Sequence, residues 1–177
     1  MLRLRDETQN SRLLERICFD GAPAMWKVQL FKLNFDEREV QAVSDVVRSG
    51  WITMGEKTRD FEAEFARFLG SDARATAVSN GTAALHLALL ALGVGPGDEV
   101  IVPSLTFVAD LNTVLVAGAK PVLADCTSLA DWNIDPADIE RKITSRTRAV
   151  MIVHYAGYPC AMDRIMALCE AHGLPLI

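Results

Sequence analysis

The spacing of apolar positions changes near residue 75, and two kinds of structure follow from the change. From Asp36, the valines Val40, Val43, Val46 and Val47 recur at helical spacing, behind an acidic start (Asp36, Glu37, Glu39) and ahead of Gly50. This predicts an amphipathic helix stopped by glycine. A second helix is expected over residues 56–69, where Phe61, Phe65, Phe68 and Leu69 share a face and Gly70 can close the last turn. Residues 51–55 form the loop between them. Beyond residue 75, short apolar runs alternate with helical segments. Strands are expected at 75–79, 99–103, 121–125 and 148–154, with another opening at 174–177. Helices are expected at 82–92, 106–117, 135–143 and 162–172, with Gly93, Gly118 and Gly173 as stops and Pro136 in a first turn. The strands are continuously apolar rather than alternating, so the fold class is α/β with a mostly parallel sheet covered on both faces.

Residues 1–25 are charged and polar, and they end in Gly21–Pro23. They read as an N-terminal extension without fixed structure, ahead of a domain over 26–177. The final strand stops after Pro175, Leu176 and Ile177. A buried parallel strand cut at its carboxyl end is an odd domain boundary, so the chain is expected to be the N-terminal, truncated part of a longer fold. A missing set of later strands would leave an exposed edge and apolar face, and therefore poor stability alone.

The 177 residues are 50% hydrophobic and 23% charged, which excludes wholesale disorder. Net charge is −5 and no basic block occurs, so nucleic acid is not an expected partner. No apolar run reaches the roughly 20 residues of a membrane span, and no signal-peptide pattern is visible. Cys18, Cys126, Cys160 and Cys169 lack C-x-x-C spacing, and the three histidines make no metal-ligand pattern. Free thiols in a reducing cytoplasm are the expectation, with no metal.

Ligands of open parallel sheets bind beyond the carboxyl ends of the strands. One such end carries Ser79-Asn80-Gly81-Thr82-Ala83. Gly81 lets a ligand approach the backbone, and the Thr82 and Ala83 N–H groups, the Thr82 hydroxyl and the helix dipole suit a phosphate dianion. The same residues also read as a plain helix cap. Phe107, after the next strand, either stacks on a planar ring or packs in the core. His154 either meets a ligand or satisfies a backbone group. Asp125 reads as a loop anchor, and Gly93–Gly97 as a turn on the opposite edge.

Taken in order, these segments resemble one family. They are Gly50-Trp51-Ile52-Thr53-Met54-Gly55-Glu56-Lys57, Ser79-Asn80-Gly81-Thr82-Ala83-Ala84-Leu85-His86, Gly97 to Phe107, Asn133-Ile134-Asp135 and His154-Tyr155-Ala156-Gly157. They are similar to the DegT/DnrJ/EryC1/StrS group of pyridoxal-phosphate-dependent sugar aminotransferases, over residues 30–177. The resemblance implies part of the three-layer α/β/α large domain of type I, aspartate aminotransferase-like enzymes. It implies that Gly81, Thr82 and Ala83 hold the phosphate of pyridoxal 5'-phosphate and that Phe107 stacks on its ring; His154, from its place at a strand end, is a further cofactor-binding candidate. It also implies a homodimer whose full-length form moves an amino group from glutamate to a nucleotide-linked keto sugar. The residues 51–57 would lie near the sugar-nucleotide entry.

Such chemistry needs an anion clamp, a stacking wall, an acid at the pyridine nitrogen and a lysine for the cofactor. The first two are readable here. None of the five lysines, Lys27, Lys32, Lys57, Lys120 and Lys142, lies in the family's lysine motif, so no catalytic residue is assigned. The chain alone is expected to be inactive. Two alternatives stand beside this: a non-catalytic phosphate-binding or partner-binding fragment, and a lysine-lacking member acting as a dehydratase or regulator.

Overall fold

The computed structural model describes residues 33–70 and 73–177, so the expected extension at 1–25 lies outside the described residues. The chain divides into two compact units, residues 1–57 and 58–177.

In the first unit, α1 (Glu37–Ser49) starts from a capping box: Asp36 accepts the Arg38 N–H at 2.8 Å, while its own N–H donates to Glu39 Oε2 at 2.8 Å. The Arg38 guanidinium beside Asp36 holds that carboxyl below its usual range. Gly50 ends the helix at φ 73°, the left-handed conformation that favours glycine. Trp51 then folds back, its indole N–H donating to the Met54 carbonyl at 3.1 Å. A Cβ at Gly55 would come within 2.5 Å of Trp51 Nε1, so glycine here lets the indole lie over the turn.

The helix α2 (Glu56–Phe68) begins at the end of the first unit and continues in the second. The Phe61 and Phe65 rings lie 6.0 Å apart, one helical turn from each other. The remaining elements are α3 (Gly81–Ala91), β1 (Glu99–Pro103), α4 (Ala109–Val116), β2 (Lys120–Ala124), α5 (Pro136–Lys142), β3 (Thr147–Val150), a 3-10 turn (Tyr155–Gly157) and α6 (Met162–His172). Every strand pair is parallel, in the order β2-β1-β3. Glu99 stands opposite Lys120 on one side and Thr147 on the other. Leu176 adds a parallel bridge outside β3, where Val150 N–H donates to the Pro175 carbonyl at 3.0 Å.

The sheet is the middle of three layers. All five residues of β1 are buried, and alternate side chains serve opposite faces. Val100 and Val102 join Ala149 and Met151 under Leu89 of α3 and Val114 of α4. Ile101 and Val150 join Ile139 of α5 and Ile165 and Cys169 of α6 on the other face. This is the α/β/α arrangement expected from the unbroken apolar runs.

Three expectations are corrected. Residues 75–79 form no strand: a strand needs a ladder partner, and here the Ala77 N–H donates instead to the Glu62 carboxylate at 2.7 Å, with Val78 left 38% exposed. The helix after β1 begins at Ala109 rather than 106, because residues 104–108 turn through a bend in which the Phe107 carbonyl accepts the Asp110 N–H at 3.1 Å. The third strand ends at Val150 rather than 154, although Met151 N–H still donates to the Ile101 carbonyl at 2.8 Å.

Candidate functional site at the carboxyl edge of the sheet

Because the strands are parallel, Pro103, Ala124 and Val150 end on one edge of the sheet. The helix α3 hands its C-terminus through the 92–98 turn to the start of β1, so its N-terminus points toward that same carboxyl edge. Asn80 caps α3 in extended conformation, and its Oδ1 accepts the Ala83 N–H at 2.9 Å. The Ala83 amide, expected to be free, is therefore engaged, since asparagine at a cap takes the third helical N–H. The Gly81 and Thr82 N–H groups have no acceptor among the described residues. Gly81 faces open space: an added Cβ would meet nothing within 4 Å. Two unsatisfied amides, a hydroxyl and the positive end of a helix dipole therefore meet solvent together, an arrangement that favours an anion.

Beside them lies a cleft of about 270 Å³ lined by Asn80, Thr82, Ala83 and His86 of the α3 segment and Asn112, Thr113 and Val116 of α4. The sequence reading gave His86, Asn112 and Thr113 no role at the site. Their signal was helical spacing, since His86 lies one turn after Thr82 on the same face. Phe107, 75% exposed, and His154, also exposed, are at the carboxyl edge but do not line this cleft. Phe107 belongs to neither buried cluster of the sheet.

His154 accepts the Cys160 N–H at Nδ1 over 3.2 Å. An Nδ1 that accepts cannot carry a proton, so the ring proton of the neutral imidazole sits on Nε2. Beneath the loop, Asn133 is only 3% exposed. Its Nδ2 donates to the Tyr158 carbonyl at 3.2 Å and the Pro159 carbonyl at 3.1 Å, and its Oδ1 accepts the Tyr155 N–H at 3.1 Å. Next to it, Trp132 and Tyr155 meet edge to face at 5.5 Å and, with Asp131, Ala156 and Tyr158, line a second cleft of about 380 Å³. Asp125 accepts from Ser104 Oγ at 3.4 Å and from the Cys126 N–H at 2.8 Å, which ties together the loops after β1 and β2. Burial pushes the Cys160 and Cys169 thiols up, so both remain neutral packing groups.

The opposite edge has different chemistry. Glu99, 2% exposed, accepts from Arg146 at 2.7 Å, Thr144 Oγ1 at 2.7 Å and Lys120 Nζ at 3.3 Å. These donors lower its carboxyl to about 2. Lys120 is thus engaged at the amino edge, away from the candidate site. Lys142 pairs with Asp138 at 2.9 Å on a peripheral helix.

The three-layer sheet is part of the large-domain fold of type I pyridoxal-phosphate enzymes. The DegT/DnrJ/EryC1/StrS aminotransferase family matches residues 34–177, and the chain belongs to that family. It is 48% identical over 138 residues to the spore coat polysaccharide biosynthesis protein SpsC of Bacillus subtilis (strain 168), covering 78% of this chain and 35% of SpsC. Among solved structures it is similar to DesV of S. venezuelae in complex with a ketimine intermediate, at 41% identity and a TM-score of 0.74, covering 79% of this chain and 37% of that one. It is also similar to Spr1654 of Streptococcus pneumoniae in its PLP-form, at 33% identity and a TM-score of 0.77, covering 83% of this chain and 37% of that one. The chain therefore spans about a third of the length of these relatives. Pyridoxal phosphate is the cofactor of this family, and Spr1654 is known in both PLP and PMP forms. No helix among the described residues is long and apolar enough to cross a membrane.

Proposed function

We propose that this chain supplies the phosphate clamp and ring-facing residues of a cytoplasmic, homodimeric aminotransferase. In its full-length form the enzyme transfers an amino group from glutamate to a nucleotide-linked keto sugar. The observation that carries this reading is the pair of unsatisfied amides at Gly81 and Thr82, facing open space in a chain of this family. Those amides and the Thr82 hydroxyl would hold the cofactor's phosphate. Ala83 lines the same cleft, and its N–H joins the clamp only if Asn80 turns away. Phe107 is exposed and able to lie against the ring, and His154 offers a donor at Nε2. Bound pyridoxal phosphate would supply an electron sink for the carbon that gains or loses the amino group. Exposed apolar side chains on α3 and α4 (Leu87, Leu90, Leu115, Val116) support a homodimer.

The five lysines of the chain do not include one in the family's motif, and two of the described ones, Lys120 and Lys142, are held in ion pairs away from the clamp. The 177-residue chain is therefore expected to bind the cofactor weakly and to transfer no amino group by itself. The test compares pyridoxal phosphate with pyridoxal, which lacks the phosphate, by titration against the chain. The phosphorylated form is expected to bind at least about tenfold more tightly, as a charge-assisted pair of hydrogen bonds provides. Equal affinities would contradict the clamp. Specific borohydride trapping of pyridoxal phosphate on any of the five lysines would contradict the expected inactivity.

A further inference from the structure

We propose that Asn133 is a positioning residue that fixes His154 as an outward-facing Nε2–H donor, so that the His154 position selects an oxygen acceptor on its ligand. The proposal stands on a geometric relation within one peptide unit. The Pro159 carbonyl and the Cys160 N–H belong to the same peptide bond, and no peptide bond among the described residues is cis. In a trans peptide the carbonyl and the N–H point in opposite directions. Asn133 Nδ2 draws the Pro159 oxygen toward itself at 3.1 Å, which aims the Cys160 N–H the other way, onto His154 Nδ1 at 3.2 Å.

The orientation of the Asn133 amide is fixed by its surroundings. Nδ2 faces two carbonyl oxygens, of Tyr158 and Pro159, while Oδ1 faces the Tyr155 N–H and the Cys160 thiol at 3.5 Å. Exchanging oxygen and nitrogen would set oxygen against two oxygens and an amino group against a donor, so only one assignment is possible. Asn133 therefore reads both ends of the His154–Cys160 loop at once. It holds the entry by accepting from Tyr155 and the exit by donating to Tyr158 and Pro159. Between those anchors Ala156 is kept at φ 53°, ψ 25°, a conformation that a residue with a side chain adopts only under constraint.

The chemical consequence lies at His154. With Nδ1 engaged as an acceptor, the remaining ring nitrogen, Nε2, carries the proton and has no partner among the described residues. It can donate to a carbonyl, carboxylate or phenolic oxygen, and it cannot accept from an amine or hydroxyl. That the ligand concerned is pyridoxal phosphate rests on the proposed function; the positioning itself does not.

The experiment is nitrogen-15 NMR on the 177-residue chain, first without cofactor. Wild type is expected to show His154 with an unprotonated Nδ1 and a Cys160 amide protected from hydrogen exchange. A proton on Nδ1, or an unprotected Cys160 amide, would overturn the proposal without any variant. Asn133→Asp retains the acceptor for Tyr155 and loses both donors. It is expected to keep the Tyr155 amide protected while Cys160 protection falls at least about tenfold, a selective loss that general unfolding does not produce. Equal protection of Cys160 in the variant would overturn the assignment. His154→Asn places an oxygen acceptor where Nδ1 was and is expected to preserve Cys160 protection, whereas His154→Leu abolishes it. Equal Cys160 protection in these two variants would overturn the proposal even if Asn133→Asp does not fold, since the bond that Asn133 is held to aim would then be absent.

Pyridoxal phosphate is then added. Movement of the Gly81 and Thr82 amides reports the clamp, and movement of His154 Nε2 reports the donor. If the amides move and His154 does not, the donor role is refuted while the clamp stands. If neither amide moves, the clamp is refuted and the positioning is judged on the cofactor-free results.

Discussion

The two edges of the sheet contain similar kinds of groups and use them in opposite ways. At the amino edge, Glu99 is buried and its carboxylate is met by Arg146, Lys120 and Thr144, which draw together the starts of β1 and β2 and the loop before β3. At the carboxyl edge, the Gly81 and Thr82 amides have no acceptor among the described residues, and the Phe107 and His154 side chains are exposed. Groups that satisfy one another stabilise the fold and leave nothing to bind a ligand. Groups left open at a helix N-terminus cost stability and create a site. A depressed carboxyl and a neighbouring lysine, as at Glu99 and Lys120, would be a poor guide to function here, because both are engaged in holding the sheet together.

Glu99→Ala is the strongest way to break this contrast. It removes the buried carboxylate that joins Arg146, Lys120 and Thr144 across three segments, and leaves a void under β1, so it is expected to lower the unfolding midpoint more than any change at the carboxyl edge. Its effect on phosphate binding should be confined to the loss of folded protein. Acid titration probes the same edge. The folded carboxyl of Glu99 lies at about 2, below its unfolded value near 4.5, so its contribution is present above about 4.5 and is lost as pH falls toward 2. Asp138, lowered to about 2 by Lys142, the Asp125 N–H and Arg141, acts in the same direction over the same range. Unfolding followed by circular dichroism should therefore steepen between pH 4.5 and 2, and Glu99→Gln should flatten that dependence. An unchanged acid profile in the variant would remove Glu99 from the account.

A smaller effect is expected at Asn133. Replacement by Leu leaves the Tyr155 N–H and the Tyr158 and Pro159 carbonyls without their partner, at about 1–3 kcal/mol for each buried group that water cannot reach. Chemical denaturation measures it, and a loss under about 0.5 kcal/mol, the range of an ordinary surface change, would mean that the loop does not depend on this residue.

Smaller still is Asn80→Ala, which removes the α3 cap at about 1 kcal/mol and frees the Ala83 N–H. This variant sharpens the comparison, because stability and anion binding should move in opposite directions. A lower unfolding midpoint with equal or tighter binding of inorganic phosphate is expected. Loss of both together would show that Asn80 itself contacts the anion.

Much of the fold was legible because side-chain pattern and local stop signals coincide there. Glu99–Pro103 and Met162–His172 fall where the apolar run and the Gly173 stop placed them. The strand expected at 75–79 was not found, since an apolar run states which residues avoid water but not whether a neighbouring strand will pair with them. The site was legible in part. Asn80-Gly81-Thr82 announces a helix start, but only coordinates separate the engaged Ala83 amide from the open ones beside it. The role of Asn133 was hidden for a similar reason. Its partners at 155, 158 and 159 are more than 20 residues away, and no local pattern reports a bond across that distance.

The most direct test of the contrast between the edges maps backbone amides while inorganic phosphate is added to the chain. The account predicts saturable shifts centred on Gly81 and Thr82, with the Gly97 and Gly118 amides at the amino edge unmoved. Shifts of equal size at both edges, or none at Gly81 and Thr82, would contradict it.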